Sequence, residues 1–128
     1  MKQAVKLTLT LIAGFALGAG AIQGLHAQAQ KKLAYLVAEV EVTDPPAYQA
    51  YAAKATETVK AAGGQFLVLR GKVDSKEGAP VQGVMVIAAF DSMADAEKWY
   101  STPPYQPLIA EREKAAKTRL YFVEGVPQ

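Results

Sequence analysis

The single histidine of this chain is His26, and there is no cysteine, so past position 26 any chemistry falls to tyrosine, carboxylate, arginine, lysine and hydroxyl side chains. That composition removes Ser-His-Asp catalysis, zinc held by histidine or thiolate and histidine-ligated haem. The expectation is a protein with no metal and no cofactor. Six positions are the candidates for a site. Glu39 sits mid-strand between Ala38 and Val40, on the side it shares with Tyr35 and Val37. A carboxylate held there can act as a general base, or it can pair with an arginine across a dimer or face solvent. Arg70 and Arg112 offer the planar fork that orients a carboxylate or enolate through two hydrogen bonds, unless they are the ion-pair partners of Glu39 and Glu124. Tyr48, Tyr51, Trp99, Tyr100 and Tyr105 can line an aromatic pocket where a phenol packs and hydrogen-bonds a ligand together. Of these, Tyr51 and Trp99 fit a core better, whereas Tyr100 and Tyr105, with Tyr35, are assigned as ligand contacts.

The elements that must position these residues are written in the hydrophobic pattern. From Ala34 to Val42 the residues alternate, with Leu36, Ala38, Val40 and Val42 on one face and Tyr35, Val37, Glu39 and Glu41 on the other, which predicts a strand. Asp44 as N-cap and Pro45 as first helical residue open a helix whose apolar stripe runs through Tyr48, Tyr51, Ala55 and Val59 until Gly63-Gly64 stops it. Gln65 to Val73 is a second strand, with Leu67 and Leu69 opposite Phe66, Val68 and Arg70. A turn-rich stretch, Asp74 to Gly83, leads into a third strand, Val84 to Phe90. Ser92, with Asp95 three residues on, resembles a capping box for a helix carrying Met93, Ala96, Trp99 and Tyr100, which Pro103-Pro104 ends. A further helical stretch carries Leu108, Ile109, Arg112, Ala115 and Ala116, and Arg119 to Val126 is the last strand. The charged runs Glu97-Lys98 and Glu111 to Lys117 read as solvated helix faces.

The first residues read as an export signal. Lys2 and Lys6 precede an uncharged apolar run, Leu7 to Ile22, and small residues follow at Ala27 and Ala29, so cleavage is expected after Ala29, with Ala27 as the competing site. A retained anchor packing through Gly14 and Gly18 is the alternative, but the run is short against the ~20 residues a spanning helix needs. Removing residues 1–29 leaves 99 of 128 residues, one domain at 30–128. The segment carries two lysines and no acid, so 12 of the 14 basic residues remain against 12 acidic ones. That balance lacks the basic footprint of nucleic-acid binding, and nothing after cleavage suggests a membrane partner. The expected location is periplasmic or secreted.

The order strand, helix, strand, strand, helix, strand predicts a ferredoxin-like α+β sandwich, β-α-β-β-α-β, with an antiparallel sheet and both helices on one face. On the third strand Met85, Ile87 and Ala89 alternate with Val84, Val86, Ala88 and Phe90, so both faces are apolar and one needs cover from outside the chain. A second copy is the simplest cover, which predicts a homodimer with Met85, Ile87, Val37 and Phe66 on the paired face, or their opposite-parity neighbours.

The run from Ala34 to Pro45, the segment Ala62 to Val68, Glu77-Gly78 with Pro80, Phe90-Asp91-Ser92, Trp99-Tyr100-Ser101 with Tyr105, and Arg119 with Val123 to Val126 resemble the family called domain of unknown function 1330. The resemblance implies a dimeric α+β barrel and leaves the activity unassigned. Related dimeric barrels include haem-degrading enzymes and cofactor-free oxygenases, a likeness of fold that says little about function. Two positions depart from the family pattern: Ala89 stands where members often carry an acid, and Thr102-Pro103-Pro104 where Ser-Pro-Glu is common. The functional expectation is a small organic ligand bound between sheet and helices. The alternatives are a cofactor-independent oxygenase or isomerase, using Glu39 or a tyrosine as base with Arg70 or Arg112 on an enolate, and a structural or partner-binding domain.

Overall fold

Period-two alternation becomes strand β1, Lys32–Val42, in which Ala34, Leu36, Ala38 and Val40 are buried while Tyr35, Val37 and Glu39 point to the opposite face. The structure is a computed structural model and describes residues 30–128; the expected signal peptide, residues 1–29, lies outside the described residues. Helix α1, Pro45–Ala61, is capped by Asp44, whose carboxylate accepts the Ala47 N–H at 3.3 Å, and prolines fill the first turn, where no intrahelical donor is needed. It stops where Gly63 takes the left-handed conformation (φ 82°) and the Gly64 N–H returns to the Val59 carbonyl at 2.9 Å. Helix α2, Met93–Ser101, starts from Ser92, whose hydroxyl accepts the Asp95 N–H at 3.1 Å.

Strands β2 (Gln65–Gly71), β3 (Val84–Phe90) and β4 (Ala116–Pro127) complete a four-stranded sheet in the order β2-β3-β1-β4. β1 runs antiparallel to β3, from Ala34 opposite Phe90 to Val40 opposite Val84. The third helix, α3 (Gln106–Ala115), leads directly into β4. The result is the expected α+β ferredoxin-like arrangement. The core lies between the helices and one sheet face and joins Leu36, Val40, Ala88 and Phe90 to Tyr51, Val59, Trp99, Tyr105 and Leu108. No helix among the described residues is long and apolar enough to cross a membrane.

The structure departs from the sequence reading in two places that matter. The pairing of β2 with β3 shifts between Phe66 and Val68 and again between Leu69 and Gly71. Each bulge reverses the parity, so Phe66, opposite Ala88, and Leu69, opposite Val86, face the helices, while Val68, opposite Ile87, joins the open face. Phe66 is therefore no part of the open face. Arg70 occupies the second shift with φ 56°, a left-handed conformation uncommon for a residue with a Cβ. The second departure is at Ala116, which begins β4 instead of closing a helix: the Ala115 carbonyl accepts the N–H groups of Thr43 and Asp44 at 2.9 and 3.0 Å. Those bonds replace a further helical turn.

On the open face, Val37, Met85 and Ile87 are half-buried, and Tyr121 and Val123 on β4 are 43% and 46% exposed. Nothing among the described residues covers this surface.

Candidate functional site

Where α1 crosses the sheet, the packing is incomplete. Leu36 and Val40 of β1, Tyr51 of α1, Val86 of β3, and Thr118 and Leu120 of β4 are among the residues that surround a cavity of about 60 Å³ between the sheet and the helices. Two open clefts continue it. Toward the β2 edge, a cleft of about 310 Å³ shares Tyr48, Leu69 and Val86 with the cavity and adds Arg70. Toward the β4 edge, one of about 330 Å³ shares Arg112, Thr118 and Leu120 and adds Tyr100, Tyr121 and Phe122. The cavity wall is mostly hydrocarbon, and among the described residues no Asp or Glu lines it.

Arg112 of α3 reaches this cavity with only 8% of its surface exposed. Its Nη1 donates to the Tyr105 hydroxyl at 2.7 Å, and that hydroxyl lies 3.0 Å from the Tyr51 hydroxyl. The Nε–H of Arg112 and the hydroxyl of Thr118 are both buried and have no hydrogen-bond partner among the described residues. None of the ion pairs among the described residues involves Arg112. Burial, reinforced by Tyr51 beside it, pushes the Tyr105 phenol far above its ordinary range, and the Arg112 charge only partly offsets this. Burial also raises Tyr48, again with Tyr51 adding and Arg70 and Arg112 opposing. For Arg112 itself burial works downward, but the surrounding phenols of Tyr105, Tyr51 and Tyr100 outweigh it, so the net shift is upward and the guanidinium stays charged. Trp99 backs this group, its ring 4.1 Å from that of Tyr105 and its indole N–H donated to Thr58 at 3.0 Å.

The residues selected from the sequence are thus dispersed over three places. Arg112 lines the cavity. Tyr105 is fully buried behind it and positions Arg112 and Tyr51 without lining the cavity, while Tyr100 and Arg70 line the clefts at opposite ends. Glu39 and Tyr35 lie on the open face and line neither the cavity nor these two clefts; Glu39 borders a separate cleft of about 350 Å³ with Arg119 and Thr118. Glu39 is held by Arg119 of the same chain, with Nε to Oε2 at 2.6 Å and Nη2 to Oε1 at 3.1 Å. Neither Arg70 nor Arg112 is its partner, and Glu124 pairs with Lys32 at 3.4 Å. Ala89, opposite Tyr35, is also on the open face, so an acid at that position in relatives would not reach the cavity. Tyr51, weighed as a pocket residue but assigned to the core, contributes its hydroxyl here, and Thr118 was missed. The signal for Thr118 was its parity with Leu120 and Phe122, which places a hydroxyl in an otherwise apolar, helix-facing row.

A four-stranded antiparallel sheet with helices on one face and a cavity between the layers defines a ferredoxin-like α+β domain with an internal pocket. The chain belongs to the family described as "Domain of unknown function (DUF1330)", whose sequence model matches residues 33–126. No curated protein matches the sequence. A solved protein of unknown function from Rhodopseudomonas palustris is similar in fold, with TM-score 0.62 and 17% identity over 85% of this chain and 94% of that one. SnoaB, a cofactor-independent oxygenase from Streptomyces nogalater, aligns with TM-score 0.52 and 10% identity over 73% of this chain and 91% of its own. At these identities the likeness is one of fold.

Proposed function

We propose that the protein is exported, pairs through its open sheet face into a dimeric α+β barrel, and binds a small organic molecule between the sheet and the helices. The observation that carries the binding reading is Arg112, buried against an apolar cavity with no carboxylate of the described residues lining it. A charge placed this way costs stability unless something supplies a partner, and a cavity open at two edges gives a ligand room to do so. A cofactor-independent oxygenase, the description SnoaB carries, needs a base at its substrate. Here no described carboxylate reaches the cavity and burial keeps Tyr105 protonated, which favours binding over base catalysis. Export is supported by the short apolar run with Ala27 and Ala29 after it, and N-terminal sequencing of the extracytoplasmic protein that returned Met1 would contradict it.

The test of binding is native mass spectrometry of the protein purified without denaturation from the cells that make it. The expected spectrum shows a small organic molecule released from the chain on denaturation. Bare chain alone, in protein purified fresh, overturns the reading.

A further inference from the structure

The chemical class of the occupant follows from which hydrogen-bonding capacities the cavity leaves unused, a step that rests on the binding reading and sharpens it. An arginine has five N–H donors and no acceptor. The Tyr105 oxygen must therefore accept from Arg112 Nη1 at 2.7 Å. The assignment that gives every member a partner sends the Tyr105 proton to the Tyr51 oxygen, 3.0 Å away. The Tyr51 O–H is then left for the cavity that its side chain lines. Arg112 Nε–H is a second donor without a partner among the described residues and the Thr118 hydroxyl a third such group; both belong to residues of the same wall and lie just beneath its surface, so an occupant reaches them with a small shift of these side chains. One full positive charge sits there with no acid among the described residues to balance it.

We propose that the occupant is an organic monoanion, a carboxylate or an enolate, whose oxygens accept from Arg112 Nε and from the Thr118 and Tyr51 hydroxyls. A neutral occupant would leave the guanidinium buried without a counter-charge. The volume limits how the molecule is seated. About 60 Å³ holds an acidic head and a few carbons, and an engineered cavity that admits benzene is roughly 150 Å³. The rest of the molecule lies in the β4-edge cleft, which borders the same Arg112 and Thr118 and offers Tyr100 and Phe122 as flat apolar walls.

The test titrates the purified protein with butyrate and benzoate, and with their neutral counterparts butyramide and benzamide, at matched ionic strength. Trp99 is the chain's only tryptophan and its ring is 4.1 Å from that of Tyr105, so its fluorescence reports on the site. The expected result is saturable binding of at least one acid, tenfold or more tighter than its amide. That binding falls at least tenfold in Arg112→Met and several-fold in Thr118→Val, the near-isosteric change that keeps the test available if the arginine variant does not fold. Amides binding as tightly as acids would overturn the anion assignment while leaving ligand binding intact. Acids binding Arg112→Met and Thr118→Val undiminished would overturn it too, by placing them elsewhere. Binding by none of the four also overturns it, and the native mass spectrum then says separately whether the cavity holds a ligand of another class.

Discussion

At the scale of single residues, Arg112 and Glu39 have exchanged the importance their types and positions suggest. Glu39 is a carboxylate flanked by apolar residues in mid-strand, with its own side chain 19% exposed, yet its partner Arg119 is 71% exposed, so the pair opens to the surface of the sheet. An exposed pair contributes about 1 kcal/mol or less. In the unpaired chain Glu39→Gln is accordingly expected to lower unfolding free energy by no more than that, since the Arg119 left behind remains hydrated there, and to leave ligand affinity unchanged. Chemical denaturation with a parallel binding titration checks both parts; loss of binding would return Glu39 to the site. Arg112 was legible as a ligand contact only as one of two arginines, and its burial was not. It lies in a run of charged residues, Glu111 to Lys117, whose pattern reads as solvated. What hides it is Tyr105, seven residues earlier and two helical turns away on the face that also buries Leu108 and Ala115, a spacing masked by the charged residues on either side of Arg112. Arg112→Met is expected to stabilise the empty protein by about 1 kcal/mol or more, raising the unfolding temperature by roughly 4–8 °C per kcal/mol. Strong destabilisation in a calorimetric scan would instead make the arginine structural.

At the scale of elements, the strands and helices were readable because their signals are local. Asp44 and Ser92 cap their helices, Gly63 ends one, and alternation sets β1. The two bulges in β2 were not readable, because Gln65 to Gly71 presents apolar residues at both parities and only pairing with β3 decides which of them face inward. The same ambiguity hid the route by which Leu69 lines the cavity and Arg70 borders the adjoining cleft. Entry into β3 depends on Gly83, in the left-handed region at φ 79°, where an added Cβ would overlap the Val40 carbonyl. Neither the conformation nor the space admits a side chain. Gly83→Ala is therefore expected to cost about 3 kcal/mol or more by prising β3 from β1, read as a fall in denaturation midpoint. A midpoint within experimental error of wild type would show that this corner has another conformation.

At the scale of the whole molecule, the β-α-β-β-α-β order and the apolar second face of β3 were both visible in the chain, and together they point to a two-layer fold that expects a cover. Which residues make up that face depended on the β2 register: Val68 joins Val37, Met85 and Ile87, and Phe66 does not. With Tyr121 and Val123 exposed beside them, this face is expected to pair two chains at about micromolar concentration. Light scattering should give a dimer mass for wild type and a monomer for Ile87→Lys; a folded wild-type monomer would contradict the pairing. Two layers leave two places for a ligand, the helix side of the sheet and the paired open faces, and the buried Arg112 favours the first. The most direct measurement is methyl-resolved NMR of the protein as purified and after its bound molecule has been stripped by unfolding and refolding. Methyls of Leu36, Val40 and Val86 are expected to shift while those of Val37, Ile87 and Val123 stay in place; shifts confined to the second group, or none at all, would contradict binding on the helix side.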